Sequence, residues 1–195
     1  MDNTDATLDE IVQGGDPYGS LGDSLEDADV DAIASASITM MDGEAQGNVE
    51  TMAQMIETVT GGDLFSIHTT QKYPVNYDEL IDLCGEEKIQ NVRSELATHV
   101  DNIEQYDVIF LGYPNWWASI PMPIASFLEE YDFSGKTILP FCSHGGGGLG
   151  QSQTAIAKLV PDATMAEGLA INYSGGSGMP DDVAAWLDAN GIARQ

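Results

Sequence analysis

The sequence predicts an α/β fold, a three-layer α/β/α sandwich with helices on both faces of a five-stranded parallel sheet. One observation is that apolar runs of strand length alternate with helical patterns through most of the chain. A second is that two runs, residues 106–112 and 137–142, each end in a distinctive loop that leads into a helical pattern. Because the carboxyl ends of parallel strands lie at the same edge of a sheet, both loops are expected at that edge.

The remaining elements follow from the same alternation. Strands are predicted where apolar runs are short, and helices where apolar residues recur every three or four positions. Glycine pairs and Asn-Gly sequences mark helix ends. The predicted strands are residues 38–41, 64–68, 106–112, 137–141 and 165–171, and the predicted helices are residues 48–60, 77–83, 121–131, 151–160 and 181–189.

Length and composition predict one structured domain after an acidic tail. The chain has 195 residues and is 43% hydrophobic, enough for one α/β core and too little for two. Residues 1–30 are rich in Asp, Glu, Gly, Ser and Ala, and their apolar residues have no sustained period. Such a segment cannot offset its ordering entropy, so we expect a disordered or partly helical tail before a domain at residues 31–195.

Neither a secretory signal nor a membrane span is recognisable in the sequence. No charged segment followed by an apolar segment comes after Met1, and no apolar run reaches the roughly 18 residues that a span requires. A cytoplasmic location is the default expectation. The alternative left open is an exported or surface-tethered protein whose signal has been removed, with the acidic leader as its stalk.

The spacing of the cysteines and histidines does not match a metal-binding motif. Cys84 and Cys142 lack the pair spacing of metal or redox motifs, so buried free thiols are favoured, although a disulfide between them stays open. His68 and His99 have no neighbouring ligand residues in the sequence. We therefore predict that the protein holds no metal.

The loops after the third and fourth strands carry the chemistry. The first offers aromatic faces and an amide, and the second brings backbone amides close because glycine has no Cβ. A flat heteroaromatic ring needs both, so the predicted ring-binding residues are Pro114, Asn115, Trp116, Trp117, Ser143, His144, Gly145, Gly146, Gly147 and Gly148. His144 is the candidate proton donor at the ring edge. The alternatives are that the tryptophans only pack and that His144 is a surface residue.

These loops resemble those of the flavodoxin-like FMN proteins, in particular the branch with a Gly-Tyr-Pro-x-Trp-Trp loop after the third strand. The similarity covers residues 50–191 and includes segments 52–56, 60–65, 131–138 and 144–146. It implies the strand order 2-1-3-4-5 and non-covalent FMN as the cofactor. It also implies a role as an electron carrier or as a reductase of a small quinone-type acceptor.

The segment that would hold the FMN phosphate departs from the family's pattern. The family has a hydroxyl-rich turn here, at the start of a helix, whose amides and hydroxyls bind the phosphate. The matching residues in this chain are Glu44, Ala45, Gln46, Gly47, Asn48 and Val49. Glu44, Gln46 and Val49 replace the hydroxyl residues, and a carboxylate facing the phosphate would oppose binding. A domain that has lost FMN and serves as a binding or interaction module is therefore the alternative function.

The net charge limits the possible partners. The chain carries 32 acidic residues against six Lys and Arg, a formal charge of −26. This charge argues against nucleic acids and anionic membranes as partners. It fits either solubility, in a salty environment or in an organism with an acidic proteome, or docking to a basic redox partner, because charge of one sign steers such encounters. The oligomeric state does not follow from the sequence.

Overall fold

The structure is a computed structural model that describes residues 38–41, 44–74, 76–173 and 178–192. For residues 38–41, 44, 45 and 77 only the backbone is described. The predicted acidic tail, residues 1–30, lies outside the described residues, as does the glycine-rich segment 174–177.

A parallel sheet forms the centre of the domain. Strand β3 (Val108–Pro114) pairs with β4 (Thr137–His144) in a register that runs from Val108 opposite Thr137 to Pro114 opposite Ser143. The other edge of β4 pairs first with β5 (Thr164–Met165) and then with β6 (Leu169–Asn172). The predicted third, fourth and fifth strands are thereby confirmed as parallel neighbours, the fifth being interrupted between Met165 and Leu169.

Helices cover both faces of this sheet. They are α1 (Asn48–Thr60), α2 (Tyr77–Gln90), α3 (Met122–Glu130), α4 (Ser152–Leu159) and α5 (Met179–Ala189). The Asn76 side chain caps α2 by accepting hydrogen bonds from two first-turn amides, and Gly61 ends α1 in the left-handed conformation. In the described ranges, no helix combines the length and the apolar character that a membrane crossing requires.

Alternate residues of the strands fill two separate cores. On one face, Ile138 and Cys142 of β4 pack among residues of α3 and α4 such as Phe127 and Ile156. On the other face, Leu139 and Phe141 pack against α1 and α5. Since side chains alternate along a strand, β4 contributes to both cores. This arrangement confirms the predicted α/β sandwich class.

The predicted first strand does not join the parallel sheet. Strand β1 (Ile38–Met41) instead forms an antiparallel pair with β2 (Glu44–Gly47), which leads directly into α1. The sequence between the two strands is Asp42-Gly43, one of the strongest two-residue hairpin signals. A central strand also favours a continuous β-branched run, and the methionines at 40 and 41 do not provide one.

The predicted second strand, residues 64–68, is also not a regular strand. Its backbone bonds with residues 95–98: His68 accepts a hydrogen bond from the Ala97 amide at 2.7 Å, and Thr69 and Leu96 form an isolated bridge. The Thr98 hydroxyl accepts from the His68 amide at 2.9 Å and donates to the Ser66 carbonyl at 2.8 Å. Side-chain hydrogen bonds therefore take the place of a regular backbone ladder between strands. Within the described residues, the predicted first and second strands do not pair with the third, so the 2-1-3 part of the predicted strand order is not formed.

Replacing Thr98 with valine tests this attachment. The change keeps the side-chain shape and removes both hydroxyl bonds, so we expect a loss of about 1–2 kcal/mol in the free energy of unfolding. Thr58→Val is the matched control, because Thr58 bonds only to a carbonyl of its own exposed helix and should change stability by less than about 0.5 kcal/mol. Urea denaturation measures both, and equal effects would contradict the assigned role of Thr98.

Candidate functional site

Parallel pairing brings the ends of β3 and β4 to the same sheet edge. Pro114 lies opposite Ser143 in the register, and the Asn115 amide continues the pairing by donating to the Ser143 carbonyl at 2.8 Å. The aromatic loop therefore begins beside His144, the last residue of β4. The prediction that the two loops share one edge is confirmed by this geometry.

The two loops also contact each other beyond the strands. The Asn115 side-chain amide donates to the Gly148 carbonyl, and the Gln151 amide donates to the Ala118 carbonyl at 2.8 Å. Gly150 has φ 54°, and a Cβ at this position would lie 2.6 Å from the Ala118 oxygen. Only glycine permits this approach, so the aromatic and glycine loops form one continuous surface.

The aromatic loop is a tight turn with an unusual backbone. Trp116 and Ser119 exchange hydrogen bonds of 3.1 and 3.0 Å, while Trp117 and Ala118 have φ values of 51° and 58°. Positive φ at both central positions is the type I′ pattern, and it costs roughly 1–2 kcal/mol for each residue that is not glycine. Bulky residues rarely adopt it, so contacts elsewhere must hold the turn.

Helix α2 supplies those contacts. The Lys88 ammonium donates to the Trp117 carbonyl, and the Trp117 indole nitrogen donates to the Ile81 carbonyl at 3.1 Å. The indole also lies over Gly85, where a Cβ would approach it to 3.3 Å. A hydrogen bond contributes about 0.5–1.5 kcal/mol net to stability. The two bonds to α2 and the bond from the Gln151 amide to the Ala118 carbonyl together are therefore comparable to the backbone strain of the turn.

The two tryptophan rings have different surroundings. Trp116 is half-buried and packs edge-on against Tyr73, with ring centres 5.2 Å apart, beside Leu80 and Cys84. Trp117 is 55% exposed, with α2 beneath it. Both indoles thus contact the α2 region. The prediction that they stack on a ring held against the glycine loop remains a prediction, and in this conformation the open face of Trp117 is available for it.

Behind Trp116, a partly buried tyrosine contacts both the indole and polar residues near α2. The Tyr73 hydroxyl donates to a Glu87 carboxylate oxygen at 2.8 Å and lies 3.3 Å from the Ser94 hydroxyl. Burial raises the pKa of Tyr73 well above its usual value, and the nearby Glu87 charge raises it further. Tyr73 therefore stays neutral at physiological pH and anchors Trp116 as an aromatic partner.

The glycine loop places His144 in one tautomer. The Gly146 amide donates to His144 Nδ1 at 2.9 Å, so the neutral imidazole carries its proton on Nε2. Gly146 and Gly148 have φ values of 135° and 56°, which require glycine. Ser143 is buried, and its predicted contact with the ring remains a prediction.

Beneath the loop, hydrogen bonds join β3 to the start of α4. The Tyr113 hydroxyl donates to the Ser152 hydroxyl at 2.8 Å, which donates to the Leu149 carbonyl at 2.6 Å. Burial raises the pKa of Cys142 to about 12, so its thiol is not ionised near neutral pH. Cys84 and Cys142 are both buried and are not joined by a disulfide, which agrees with the favoured interpretation.

Tyr173 is a site residue that the sequence analysis missed. It follows β6, its amide donates to the His144 carbonyl at 3.0 Å, and its ring lies 3.6 Å from where a Gly145 Cβ would be. The ring therefore covers the start of the glycine loop. The signal was present, because the carboxyl end of the fifth strand must reach the same edge as those of the third and fourth.

The predicted phosphate segment reaches this edge as well. Gly47 is the N-cap of α1 and makes no side-chain capping bond, so backbone amides are the available donors of the first turn. The Val49 side chain packs against β3, where a Cβ at Gly112 would approach it to 2.8 Å. Gly112 lies near the carboxyl end of β3, which places the start of α1 beside the aromatic loop.

The side chains of this segment only partly suit a phosphate. Thr51 is 2% exposed and its hydroxyl donates to the Gly47 carbonyl at 3.0 Å, so the hydroxyl is already used. Gln46 lies 3.5 Å from the same hydroxyl, and Glu50 adds a carboxylate to the first turn. Asn48 is buried. The side chains of Glu44 and Ala45 lie outside the described residues. The backbone amides at the start of α1 are suited to an anion, whereas the described side chains of this segment carry no positive charge.

One buried acceptor at the loop junction supports a ligand there. Asn115 Oδ1 has no hydrogen-bond donor among the described residues. An unsatisfied buried oxygen costs about 1–3 kcal/mol, which an incoming donor would recover. The N–H edge of a heteroaromatic ring is such a donor. The absence of a metal remains a prediction, and within the described segments no group of acidic, His and Cys residues is arranged to hold one.

Sequence and structure comparisons agree with this geometry. The family model described as flavodoxin matches residues 38–190. Among solved structures, a candidate flavoprotein from Bacteroides eggerthii is 29% identical, with a TM-score of 0.63 over 76% of this chain and 94% of that one. A candidate flavoprotein from Bacteroides uniformis is 23% identical, with a TM-score of 0.64 over 72% and 90% of the two chains. No curated protein matches.

A third solved structure holds a cofactor. It is the flavoprotein of Lactobacillus acidophilus, solved in complex with FMN, which is 16% identical to this chain. Its TM-score is 0.55 over 71% of this chain and 90% of that one. At this identity the likeness establishes a shared fold.

Replacing Gly150 with alanine tests the contact between the loops. The positive φ and the approach to the Ala118 carbonyl predict a loss of at least about 1–3 kcal/mol in the free energy of unfolding. Gly147→Ala is the matched control, because its Cβ would come no closer than 3.8 Å to a neighbouring atom. Chemical denaturation distinguishes them, and equal stabilities would contradict the described junction.

Nitrogen chemical shifts of the imidazole test the His144 assignment. We expect the neutral ring to be the Nε2–H tautomer, because Nδ1 accepts the hydrogen bond of the Gly146 amide. His99 is an internal control, since its Nδ1 lies 2.6 Å from a Glu130 carboxylate oxygen and should carry a proton. A neutral His144 with its proton on Nδ1 would refute the loop geometry.

Proposed function

Because the chain belongs to the flavodoxin family, we propose that it binds FMN non-covalently and works as an electron carrier or as a reductase of a small quinone-type acceptor. The observation that carries the proposal is the single surface formed by the aromatic and glycine loops, joined through Asn115 to Ser143 and Gly148. Bound FMN would supply one- and two-electron chemistry. The Lactobacillus acidophilus flavoprotein, which shares this fold, is known with FMN.

In this proposal the ring lies over the joined loops. Trp117 offers an open aromatic face, Asn115 Oδ1 offers an acceptor, and the glycine loop has no Cβ atoms at Gly145–Gly148 to hold the ring away. Tyr173 borders the same surface. These residues would orient the ring and exclude water from the face that it presents to them.

The phosphate is proposed to lie at the start of α1. Its donors are the amides that follow Gly47, supported by a helix dipole that contributes about 0.3–1 kcal/mol. A carboxylate about 4 Å away would cost roughly 4 kcal/mol per unit charge at an effective dielectric of about 20, and more against a dianion. The position of Glu44 therefore decides the affinity, and weak FMN binding is expected if its carboxylate faces the phosphate.

His144 has the proposed role of proton donor when the acceptor is a quinone. Its Nδ1 is occupied by the Gly146 amide, which leaves Nε2–H as the donor. A quinone gains protons as it gains electrons, so a donor beside the ring would favour two-electron reduction. An electron carrier needs no such transfer, and His144→Phe would separate the roles by slowing quinone reduction and sparing one-electron transfer.

The alternative is a domain that has lost FMN and serves as a binding or interaction module. The specific observation in its favour is Val49, which packs against β3 at Gly112 where the resemblance implies a phosphate-binding hydroxyl. The hairpin formed by β1 and β2 favours it too, because the segment that leads into α1 is not fixed by the parallel sheet. This alternative predicts a colourless protein whose stability does not respond to FMN.

Flavin titrations test the proposed function. We expect FMN to bind with quenched flavin fluorescence, and riboflavin, which lacks the phosphate, to bind more weakly. Glu44→Gln should tighten FMN by roughly tenfold or more by removing one opposing charge and leave riboflavin unchanged. Glu57→Gln, at the far end of α1, is the matched control and should change neither.

The outcomes separate the two functions. Equal affinities for FMN and riboflavin would show that the start of α1 does not hold the phosphate. If FMN and riboflavin both fail to bind to the purified protein and to Glu44→Gln, the proposed cofactor is refuted and the interaction module is favoured.

A further inference from the structure

Three side chains behind the aromatic loop form a line that leads away from the proposed flavin site. Trp116 packs edge-on against Tyr73 with ring centres 5.2 Å apart, and the Tyr73 hydroxyl donates to a Glu87 carboxylate oxygen at 2.8 Å. Tyr73 and Glu87 have no part in the proposed flavin site. We name Trp116, Tyr73 and Glu87 the Tyr73 relay.

The ring contact in the relay joins two groups that can exchange an electron. Indole and phenol rings lose one electron far more readily than a benzene ring does, and electron transfer is fast between rings in contact. Of the ring pairs in the described part of the chain, this is the one that joins a tyrosine to a tryptophan. Trp186, by contrast, packs against Phe110 and Phe141, with ring centres 6.0 and 6.2 Å apart.

Glu87 supplies the base that oxidation of a tyrosine requires. Loss of an electron makes a phenol strongly acidic, so the electron leaves readily where a neighbouring group takes the proton. The 2.8 Å contact lies within the range of about 2.6–3.2 Å for a positioned proton acceptor. The ion pairs within the described residues do not include Glu87, so none of them competes for its carboxylate.

The surroundings of the Tyr73 hydroxyl keep it protonated until it is oxidised. Burial raises the pKa of Tyr73 well above its usual value, and the Glu87 charge raises it further. The Ser94 hydroxyl lies 3.3 Å from the same phenol oxygen and provides a second polar contact. Tyr73 is therefore a neutral phenol with a carboxylate already in place to receive its proton.

We propose that Tyr73 is an internal one-electron reductant that repairs an oxidised Trp116. One electron passes from the Tyr73 ring to the indole radical, which regains a proton from water if it has lost one. The phenol proton moves to the Glu87 carboxylate. The products are an intact tryptophan, a neutral tyrosyl radical and a protonated Glu87. The direction follows because at neutral pH a tyrosyl radical is lower in free energy than a tryptophan radical.

The relay moves oxidation away from the loop that shapes the proposed flavin site. The first step needs a one-electron oxidant at the aromatic loop, and a photoexcited flavin bound there in the proposed function would be one source. The transfer from Tyr73 does not itself depend on a flavin. A small one-electron reductant in solution, such as ascorbate, then returns Tyr73 to its resting state.

Pulse radiolysis of the full-length protein without flavin tests the transfer. Azide radicals oxidise tryptophan in preference to tyrosine, and visible absorbance distinguishes the indole radical from the tyrosyl radical that replaces it. We expect a fast conversion whose rate does not depend on protein concentration. Tyr73→Phe should abolish this fast conversion. Tyr106→Phe is the matched control, because the Tyr106 hydroxyl also bonds to a carboxylate, at 2.7 Å, and its loss should leave the conversion unchanged.

A second pair of variants tests the proton acceptor. Glu87→Gln should slow the conversion at least about tenfold, since a positioned base typically contributes about 10²–10⁴-fold. Glu86→Gln, at the exposed neighbouring position, should leave the rate unchanged. Cys84→Ala should also leave it unchanged, which separates Tyr73 from the thiol packed beside the same rings. Circular dichroism verifies the folding of each variant.

Equal rates in the two tyrosine variants or in the two glutamate variants would overturn the proposal. An indole radical that decays in the unmodified protein without forming a tyrosyl radical would overturn it as well. Because the measurement contains no flavin, an absence of FMN binding would overturn the proposed function and not the Tyr73 relay.

Discussion

The parallel pairing of β3 with β4 is the constraint on which the rest of the structure depends. Its register sets Pro114 beside Ser143, so two loops that are distant in sequence begin side by side. The Asn115 amide extends the pairing one bond further, and the Asn115 side chain then reaches Gly148. This junction sets the relative positions of the two loops that form the proposed ring site. The buried β4 strand, packed on both faces, keeps it in place.

Helix α2 contributes as much to the site as the loops do. Without it the turn at Trp117 and Ala118 would relax, because two residues other than glycine with positive φ are costly in isolation. The hydrogen bonds that join Trp117 to Lys88 and to Ile81 link residues 29 and 36 positions apart in the sequence. One helix therefore holds the turn of the aromatic loop in its conformation.

The sequence predicted the parts of the fold whose signals are local or strongly patterned. Strands three to five, the α/β class and the shared loop edge follow from apolar runs that end in loops, and the structure confirms them. The antiparallel pairing of β1 and β2 was not predicted, although Asp42-Gly43 is a sequence typical of hairpins. The attachment of residues 64–68 through Thr98 was not readable, since it depends on one hydroxyl 30 positions away.

The same division holds for the site. The ring-binding loops and their glycines were identified from composition, whereas Tyr173 and the orientation of the tryptophans toward α2 depend on tertiary contacts. No local sequence pattern predicts that Gly85 leaves space for the Trp117 indole. Sequence reasoning therefore located the surface and its chemistry, and the structure was needed to show which faces of its residues remain open.

The most direct test of the account is to map FMN on the protein by amide chemical-shift perturbation in nuclear magnetic resonance spectra. If the joined loops receive the ring and the start of α1 receives the phosphate, the perturbed amides will be those of Asn115, Gly145–Gly148, Tyr173 and Asn48. Perturbations confined to other parts of the chain, or none at saturating FMN, would contradict the central claim that this sheet edge is the flavin site.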